Sequence, residues 1–279
     1  MHTPSAAEIY LQDFHQRRAG ATTTAFAHRP AQAGTVRFDS SYAMLADVVP
    51  VVEGPLTVLD LACGDGHLLG LLASRKQAGL RLIGIDMSQG ELDAARASLP
   101  PEVDLRNENA RALSLQSGSV DCVVSHMAMM LMDDIDSVIN EIARVLQPGS
   151  GVFAAVVSRQ FLVGAVSKIF YDVFAPIAKL DLSPLPFGDP RTRSEAGWTG
   201  LLGKQFKGVH FSDIDIAWAP TPMALWQDLR DTYDVDRLSP AAQEQFKNEL
   251  LDALEPLVRA DGKIETGWGL RLVRANRTA

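Results

Sequence analysis

Val58-Leu59-Asp60-Leu61-Ala62-Cys63-Gly64-Asp65-Gly66 is an apolar run with one acid inside it that breaks into alternating glycines. Helical composition follows in residues 67–74, so the stretch reads as strand, loop and helix. Glycines at such a turn let a ligand approach the main chain without meeting a Cβ. The helix that follows offers it unpaired N–H groups. A second apolar run, residues 80–85, is closed by Asp86, twenty positions beyond Gly66. As neighbouring parallel strands the two runs open at their carboxyl ends onto one crevice, where sheets of this kind bind ligands. An acid placed there accepts both hydroxyls of a ribose.

A glycine loop followed by an acid also describes a dinucleotide site. The spacing here is Asp-x-Ala-x-Gly-x-Gly, however, and not Gly-x-Gly-x-x-Gly. Asp60 also stands where it repels a pyrophosphate and pairs with an amino group. The pattern favours a nucleoside with a cationic tail. S-adenosylmethionine, carrying an ammonium and a sulfonium, meets that description.

The surrounding chain continues the alternation. Ser88 is placed to cap a helix running to residue 97. Residues 120–125 form a buried-strand candidate. Residues 136–146 keep a helical apolar spacing (Val138, Ile142, Val145, Leu146) and stop at Pro148-Gly149. Residues 151–157 have strand length. Strands alternating with helices imply an α/β fold whose parallel sheet is covered on both faces. Residues 1–50 read as helices broken at Pro30 and Gly34. Residues 159–190 are apolar but irregular, with prolines at 176, 184, 186 and 190. Late strands are expected over 209–217 and 267–275, with helices over 225–229 and 241–257. The expected organisation is an N-terminal helical lid over 1–54 and a core over 55–279, in which 159–205 is a cap insertion.

The chain has 279 residues, 47% hydrophobic and 22% charged, which excludes a disordered chain. No apolar run reaches the roughly 18 residues of a membrane span, and the first eight residues lack the order of a secretory signal. Cys63 and Cys122 suit neither a disulfide framework nor a four-ligand zinc site. A cytoplasmic protein without metal or membrane partner is expected, as monomer or homodimer. Twenty-six basic against thirty-four acidic residues give a net charge of −8. Nucleic-acid binding is disfavoured on that ground, and a small-molecule partner is expected.

The assembled motifs resemble those of the class I S-adenosylmethionine-dependent methyltransferases of small molecules. Residues 58–66 resemble the family's first motif and Ile85-Asp86-Met87-Ser88 its second. Asn109-Ala110 resembles the adenine-contacting dipeptide, residues 119–125 the fourth strand, and residues 144–149 the turn before the fifth. Ala62 stands where the family's first glycine is usual, and Asn109 replaces the more usual Asp while still offering an oxygen. The resemblance implies a Rossmann-like, seven-stranded, mostly parallel sheet ordered 3-2-1-4-5-7-6. It also implies that Asp60, Ala62, Gly64 and Gly66 hold the methionine end and that Asp86 binds the ribose. Met87 and Ala110 would flank the adenine, Asn109 would bond its amino group, and His126 would lie beside the donor methyl. Phe14-His15 and Ser40-Ser41-Tyr42 resemble the lids of biosynthetic methyltransferases.

Each candidate has a plainer alternative. His126 and His15 are candidate bases; packing is the other reading of both. His210 reads as structural, and both cysteines as small buried fillers. Met127, Met129, Met130 and Met132 either pack the core or line a pocket. Arg17 and Arg18, with Arg29 and Arg37, either meet an anionic substrate or form a solvated face. No metal-ligand spacing and no Gly-x-Ser-x-Gly elbow is present. The sequence thus predicts methyl transfer from S-adenosylmethionine, leaving S-adenosylhomocysteine, to an O, N or C atom of a small metabolite, with secondary metabolism as the setting. The alternative is a cyclase or binding module that holds the cofactor without transferring methyl.

Overall fold

The computed structural model describes residues 4–279. From the amino end, α1 (Ala6–Arg17) and α2 (Ala21–Phe26) lead into β1 (Ala31–Ala33), β2 (Val36–Phe38) and α3 (Ser41–Val48). The alternating region follows: β3 (Leu56–Leu61), α4 (His67–Ala73), β4 (Leu80–Asp86), α5 (Gln89–Ser98), β5 (Asp104–Asn107), β6 (Cys122–His126), α6 (Ile135–Val145) and β7 (Val152–Gln160). The remainder is α7 (Gly164–Asp181), α8 (Glu195–Leu202), β8 (Phe206–Trp218), α9 (Pro222–Leu229), α10 (Tyr233–Asp236), α11 (Pro240–Leu254) and β9 (Thr266–Arg277).

Nine strands form one sheet in the order β2-β1-β8-β9-β7-β6-β3-β4-β5. β3 pairs in parallel with β4 and β6, β4 with β5, and β6 with β7. Counted from β3, the strands from β5 to β8 run 3-2-1-4-5-7-6, the expected order. The sheet has nine strands where seven were expected, because β1 and β2 extend it beyond β8. Residues 1–50 are therefore not wholly helical. Strands of three residues are too short to show alternation, and Gly34, at φ 58°, supplies the turn between them.

The chain divides into two compact units. The first holds the described residues up to Arg159 together with Pro186–Ile214 and Leu270–Ala279. Its core strands are apolar on both faces, as crossover helices require: Val58, Leu59, Leu61, Val123, Phe153 and Ala155 are all essentially inaccessible. α6 buries Ile135, Val138, Ile139 and Ile142, spacing that puts one helical stripe on the sheet. Trp198 of α8 completes this core. It packs near Phe153 and donates its indole N–H to the Thr192 carbonyl at 2.8 Å.

The second unit comprises Gln160–Leu185 and Asp215–Gly269. Phe170 of α7 meets Phe246 of α11 edge-on at 5.5 Å, and Trp226 of α9 adds to the same cluster. Two expectations are corrected here. Residues 159–190 contain an 18-residue helix, α7, which runs through Pro176. Its buried Val166, Phe170 and Ile177 keep helical spacing, and burial of that stripe outweighs the hydrogen bond a proline forfeits. The expected cap over 159–205 also divides. Residues 186–205 belong to the first unit, while 215–269 join 160–185 in the second.

Replacing Phe153 by Ala removes a fully buried ring from the middle of the first core. A loss of about 3–5 kcal/mol in unfolding free energy is expected from urea titration.

Candidate functional site

The loop after β3 is built on three left-handed residues, Ala62 (φ 58°), Gly64 (φ 53°) and Gly66 (φ 80°). Ala62 holds this conformation at the place where the family glycine was expected, at a cost of about 1–2 kcal/mol. Gly66 has a steric role as well. A Cβ there would lie 2.5 Å from Cδ1 of Leu99 and 3.1 Å from Ala95, at the end of α5. Gly64 is different: a Cβ would meet only the Glu91 carboxylate, at 3.7 Å.

Asp86 fixes this loop against the next one. Its Oδ2 accepts from the Gly64 N–H at 2.9 Å, and its Oδ1 from the Ser88 N–H at 2.8 Å. Ser88 in turn caps α5. Burial raises the Asp86 pKa, against the pull of those two N–H groups. Asp60, the neighbouring acid at the end of β3, is 2% exposed. Burial drives its pKa well up, and Asp86 and Asp65 push it further in the same direction. No cation offsets that field at Asp60 among the described residues. A fourth carboxylate, Glu91, takes the Gly20 N–H at 2.9 Å and Nδ1 of His15 at 2.7 Å.

One cavity gathers most of the expected cofactor residues. Ala62, Asp86, Met87, Asn109 and Ala110 line it from the sheet side, and Glu8, Leu11 and His15 line it from α1. Asp60, Gly64 and Gly66 border the loop but are not part of that lining. Leu131 and Met132 face the cavity, while Met129 is wholly buried in the core, so the methionine run serves both roles.

α1 is tied down along its length. Ser5 caps it in a reciprocal box with Glu8 and also bonds Asp133. Glu8 accepts from Arg111 at 2.5 Å and from Asn109 Nδ2 at 3.2 Å. Gln12 reaches the Met87 carbonyl, and Gln16 takes the Gly90 N–H. This network corrects the expectation for Asn109. Its Oδ1 already accepts from the backbone N–H and Nε of Arg111. The oxygen meant for an adenine amino group is therefore committed to holding α1 and Arg111.

His126 and Tyr42 come together at the end of β6. Their rings stack with centroids 3.6 Å apart and planes at 21°. Phe26 meets His126 edge-on at 5.8 Å, and His67 meets Tyr42 at 4.9 Å. His126 accepts or donates at Nε2 with the Ser41 hydroxyl, 2.9 Å away. Burial, reinforced by His67, lowers its pKa to about 3. Neither Arg17 nor Arg18 lines the cavity; Arg17 is exposed and pairs with Asp13 one turn earlier, at 2.7 Å.

Residue-by-residue reading missed Glu8, Asp65, Glu91, Arg111 and His67, and it had Ser41 only as part of a lid segment, without its bond to His126. Ser5-x-x-Glu8 is a legible capping box, and Asp65 and His67 lie in or beside the glycine loop. Nothing local marks Arg111 or Ser41, whose partners are distant in sequence. The described residues contain no cluster of three or more groups able to hold a metal ion. They also contain no helix long and apolar enough to cross a membrane.

Two substitutions in the loop separate strain from crowding. Ala62→Gly is expected to raise unfolding free energy by up to about 1 kcal/mol, by relieving the left-handed residue. Gly66→Ala is expected to lower it by about 2–4 kcal/mol through strain and overlap with Leu99. The Glu8 contacts add a pH signature. Bonds from Ser5, Asn109 and Arg111, opposed by burial, leave its pKa below the ordinary value. Its contribution is then full above the unfolded pKa near 4.5 and is lost as pH falls through the lower folded value. Amide exchange in α1 should accelerate across that window in the wild type, and less so in Glu8→Gln.

Residues 58–149 match the model of a family described as a methyltransferase domain. The demethylmenaquinone methyltransferase of Lactococcus lactis is 35% identical over 101 residues, covering 35% of this chain and 40% of that protein. The ubiquinone biosynthesis O-methyltransferase of Chelativorans sp. is 31% identical over 169 residues, covering 58% and 65%. Against the first curated relatives the chain spans only 24–40% of their length. Among solved structures, the cyclase SpnF shares the fold with a TM-score of 0.57 at 18% identity, over 100% of this chain and 99% of that one. Residues 58–149 thus carry a methyltransferase domain, and it stands on a sheet with the strand order and glycine loop of the class I S-adenosylmethionine-dependent methyltransferases.

Proposed function

We propose that the chain transfers a methyl group from S-adenosylmethionine to an O, N or C atom of a small metabolite, with secondary metabolism as its setting. The observation that carries this reading is the pair Asp60 and Asp86 at the carboxyl ends of adjacent parallel strands. Asp60 is buried with only like charges around it, and Asp86 is braced by two backbone N–H groups. An ammonium group at Asp60 would supply the missing countercharge. Ribose hydroxyls would find unused lone pairs on Asp86. The residues present thus fit the cofactor in charge, and the Gly64 backbone leaves space for its approach.

S-adenosylmethionine supplies a methyl group already activated by its sulfonium. The chain's own residues then have to bind, align and exclude water, which can contribute much of the acceleration of a displacement. Met87 and Ala110 offer apolar walls for the adenine. Asn109, through Glu8 and Arg111, holds α1 over that end of the cavity. His15 closes the same cavity from α1, its Nδ1 engaged by Glu91. We further propose α1 to α3 as the lid that shields the reaction from water.

The fold shared with SpnF supports a second reading, in which the cofactor is held without methyl transfer. Incubation with labelled S-adenosylmethionine and extracted metabolites separates the two: labelled product is expected from the first reading and none from the second.

Asp60 should carry opposite effects on stability and binding. A carboxylate whose folded pKa is raised loses stability as pH rises from its unfolded value toward the folded one. At neutral pH its burial is therefore a cost. Asp60→Asn is expected to gain about 1–3 kcal/mol in thermal unfolding of the free protein. The same variant should lose at least about tenfold in S-adenosylhomocysteine affinity by calorimetry. Wild-type protein that fails to bind S-adenosylhomocysteine at high micromolar concentration overturns the proposal.

A further inference from the structure

Glu8, Leu11 and His15, three and four residues apart, put one face of α1 on the cavity. The bonds of that helix order the two ends of the space. In its last turn His15 meets Glu91, and Gln16 takes the Gly90 N–H, both on α5 just after Asp86. In its first turn Glu8 meets Asn109 and Arg111, and the capping Ser5 bonds Asp133. The rise of α1 from Glu8 to His15, about 10 Å, separates these ends. Asp86 therefore stands at one end of the cavity, and Asn109, Arg111 and Asp133 gather at the other. Met87, Ala110, Leu131 and Met132 supply apolar lining.

Strand order gives a bound nucleoside its direction. β3, β4 and β5 are successive neighbours in the sheet. With the cationic tail at Asp60 on β3 and the ribose at Asp86 on β4, the base is carried over the loop that follows β5. That loop holds Asn109, Ala110 and Arg111, at the first-turn end of α1.

The acceptors at that end are nearly all taken. Asn109 Oδ1 receives two bonds from Arg111. Glu8 receives Arg111, Asn109 and the Ser5 N–H. Both oxygens of Glu108 are bonded by Ser114. Asp133 takes the Ser5 hydroxyl on Oδ2 alone, and its Oδ1 has no donor among the described residues. Its side chain lines the cavity and is only partly buried, so that oxygen is open to a ligand.

We infer that Asp133 binds the exocyclic amino group of the cofactor's adenine through Oδ1, in the role expected of Asn109, with Ser5 as the positioning residue that holds Oδ2. The inference rests on the methyltransferase reading and names the residue that sets base selectivity in this cavity. A carboxylate accepts and does not donate, so an amino N–H gains a charge-assisted bond. A base with a carbonyl at the same place would set oxygen against oxygen and leave both unpaired, which a site of this kind rejects strongly.

The test compares two ligands on the full chain by calorimetry: S-adenosylhomocysteine and S-inosylhomocysteine, in which a carbonyl replaces the amino group. Wild type is expected to prefer the adenosyl ligand by about tenfold or more. In Asp133→Asn the amide can turn its N–H towards the carbonyl, and the preference should shrink to within about threefold. Ser5→Ala removes a fastening of α1 without altering the Asp133 carboxylate, so it should weaken both ligands alike and keep their ratio. A second measurement needs no variant: with nitrogen-15 at the amino group of S-adenosylhomocysteine, one amino proton should move downfield on binding. If S-adenosylhomocysteine does not bind wild type, the methyltransferase reading itself fails. If it binds and the two ligands are held equally, or Asp133→Asn keeps the wild-type ratio, or the amino protons keep their free positions, this inference alone is overturned.

Discussion

The carboxylate of Asp86 takes one hydrogen bond from Gly64 and one from Ser88, and through them it sets the distance between two loops. Those loops end adjacent parallel strands, paired from Leu56↔Leu80 to Leu61↔Ile85. The register brings Asp60 and Asp86 to the same end of the sheet, one strand apart. The loop is tied in by two further bonds, from the Cys63 N–H to the Ile85 carbonyl and from the Gly66 N–H to the Cys63 carbonyl, each 3.0 Å. The Asp86 bridge keeps a second acid, Asp60, close by in the interior. A fold that holds two carboxylates this close spends stability on a binding surface, as functional sites commonly do.

The cover over this end is polar in its fastenings and apolar in its body. Leu11 and Phe14 of α1 are buried, while Ser5, Glu8, Gln12, His15 and Gln16 each reach a partner near the carboxyl ends of the strands. Hydrogen bonds of this kind are individually modest. A helix held by several separate, partly exposed bonds can open without unfolding the sheet beneath it. α2 and α3 serve the neighbouring position, where Phe26, Ser41 and Tyr42 surround His126. The acids Asp60 and Asp86 and the ring cluster around His126 thus stand at the carboxyl ends of neighbouring strands.

Much of this was legible before any coordinates. Residues 58–66 and Asp86 announced a strand, a glycine loop and a second strand, because φ values near +60° favour glycine and buried parallel strands are apolar on both faces. The helical spacing in residues 136–146 predicted α6 to within a residue at each end. β1 and β2 were hidden because three-residue strands carry no period. α7 was hidden because four prolines suggested irregular chain, although only Pro176 lies inside the helix and the buried stripe carries it.

The sequence by itself determined the sheet's central strands, the loop and the identity of its two acids, since each depends on residues close together in the chain. Tertiary structure decided which groups those residues meet. Asn109 is bound to Glu8, 101 residues away, and not free for a ligand; His126 is held by Ser41, 85 residues away. Arg17 finds its partner one helical turn back and does not line the cavity. Backbone conformation is a local property, set by the steric demands of each residue and its neighbours. The availability of a lone pair or a proton depends on contacts between distant segments, and these exist only once the chain has folded.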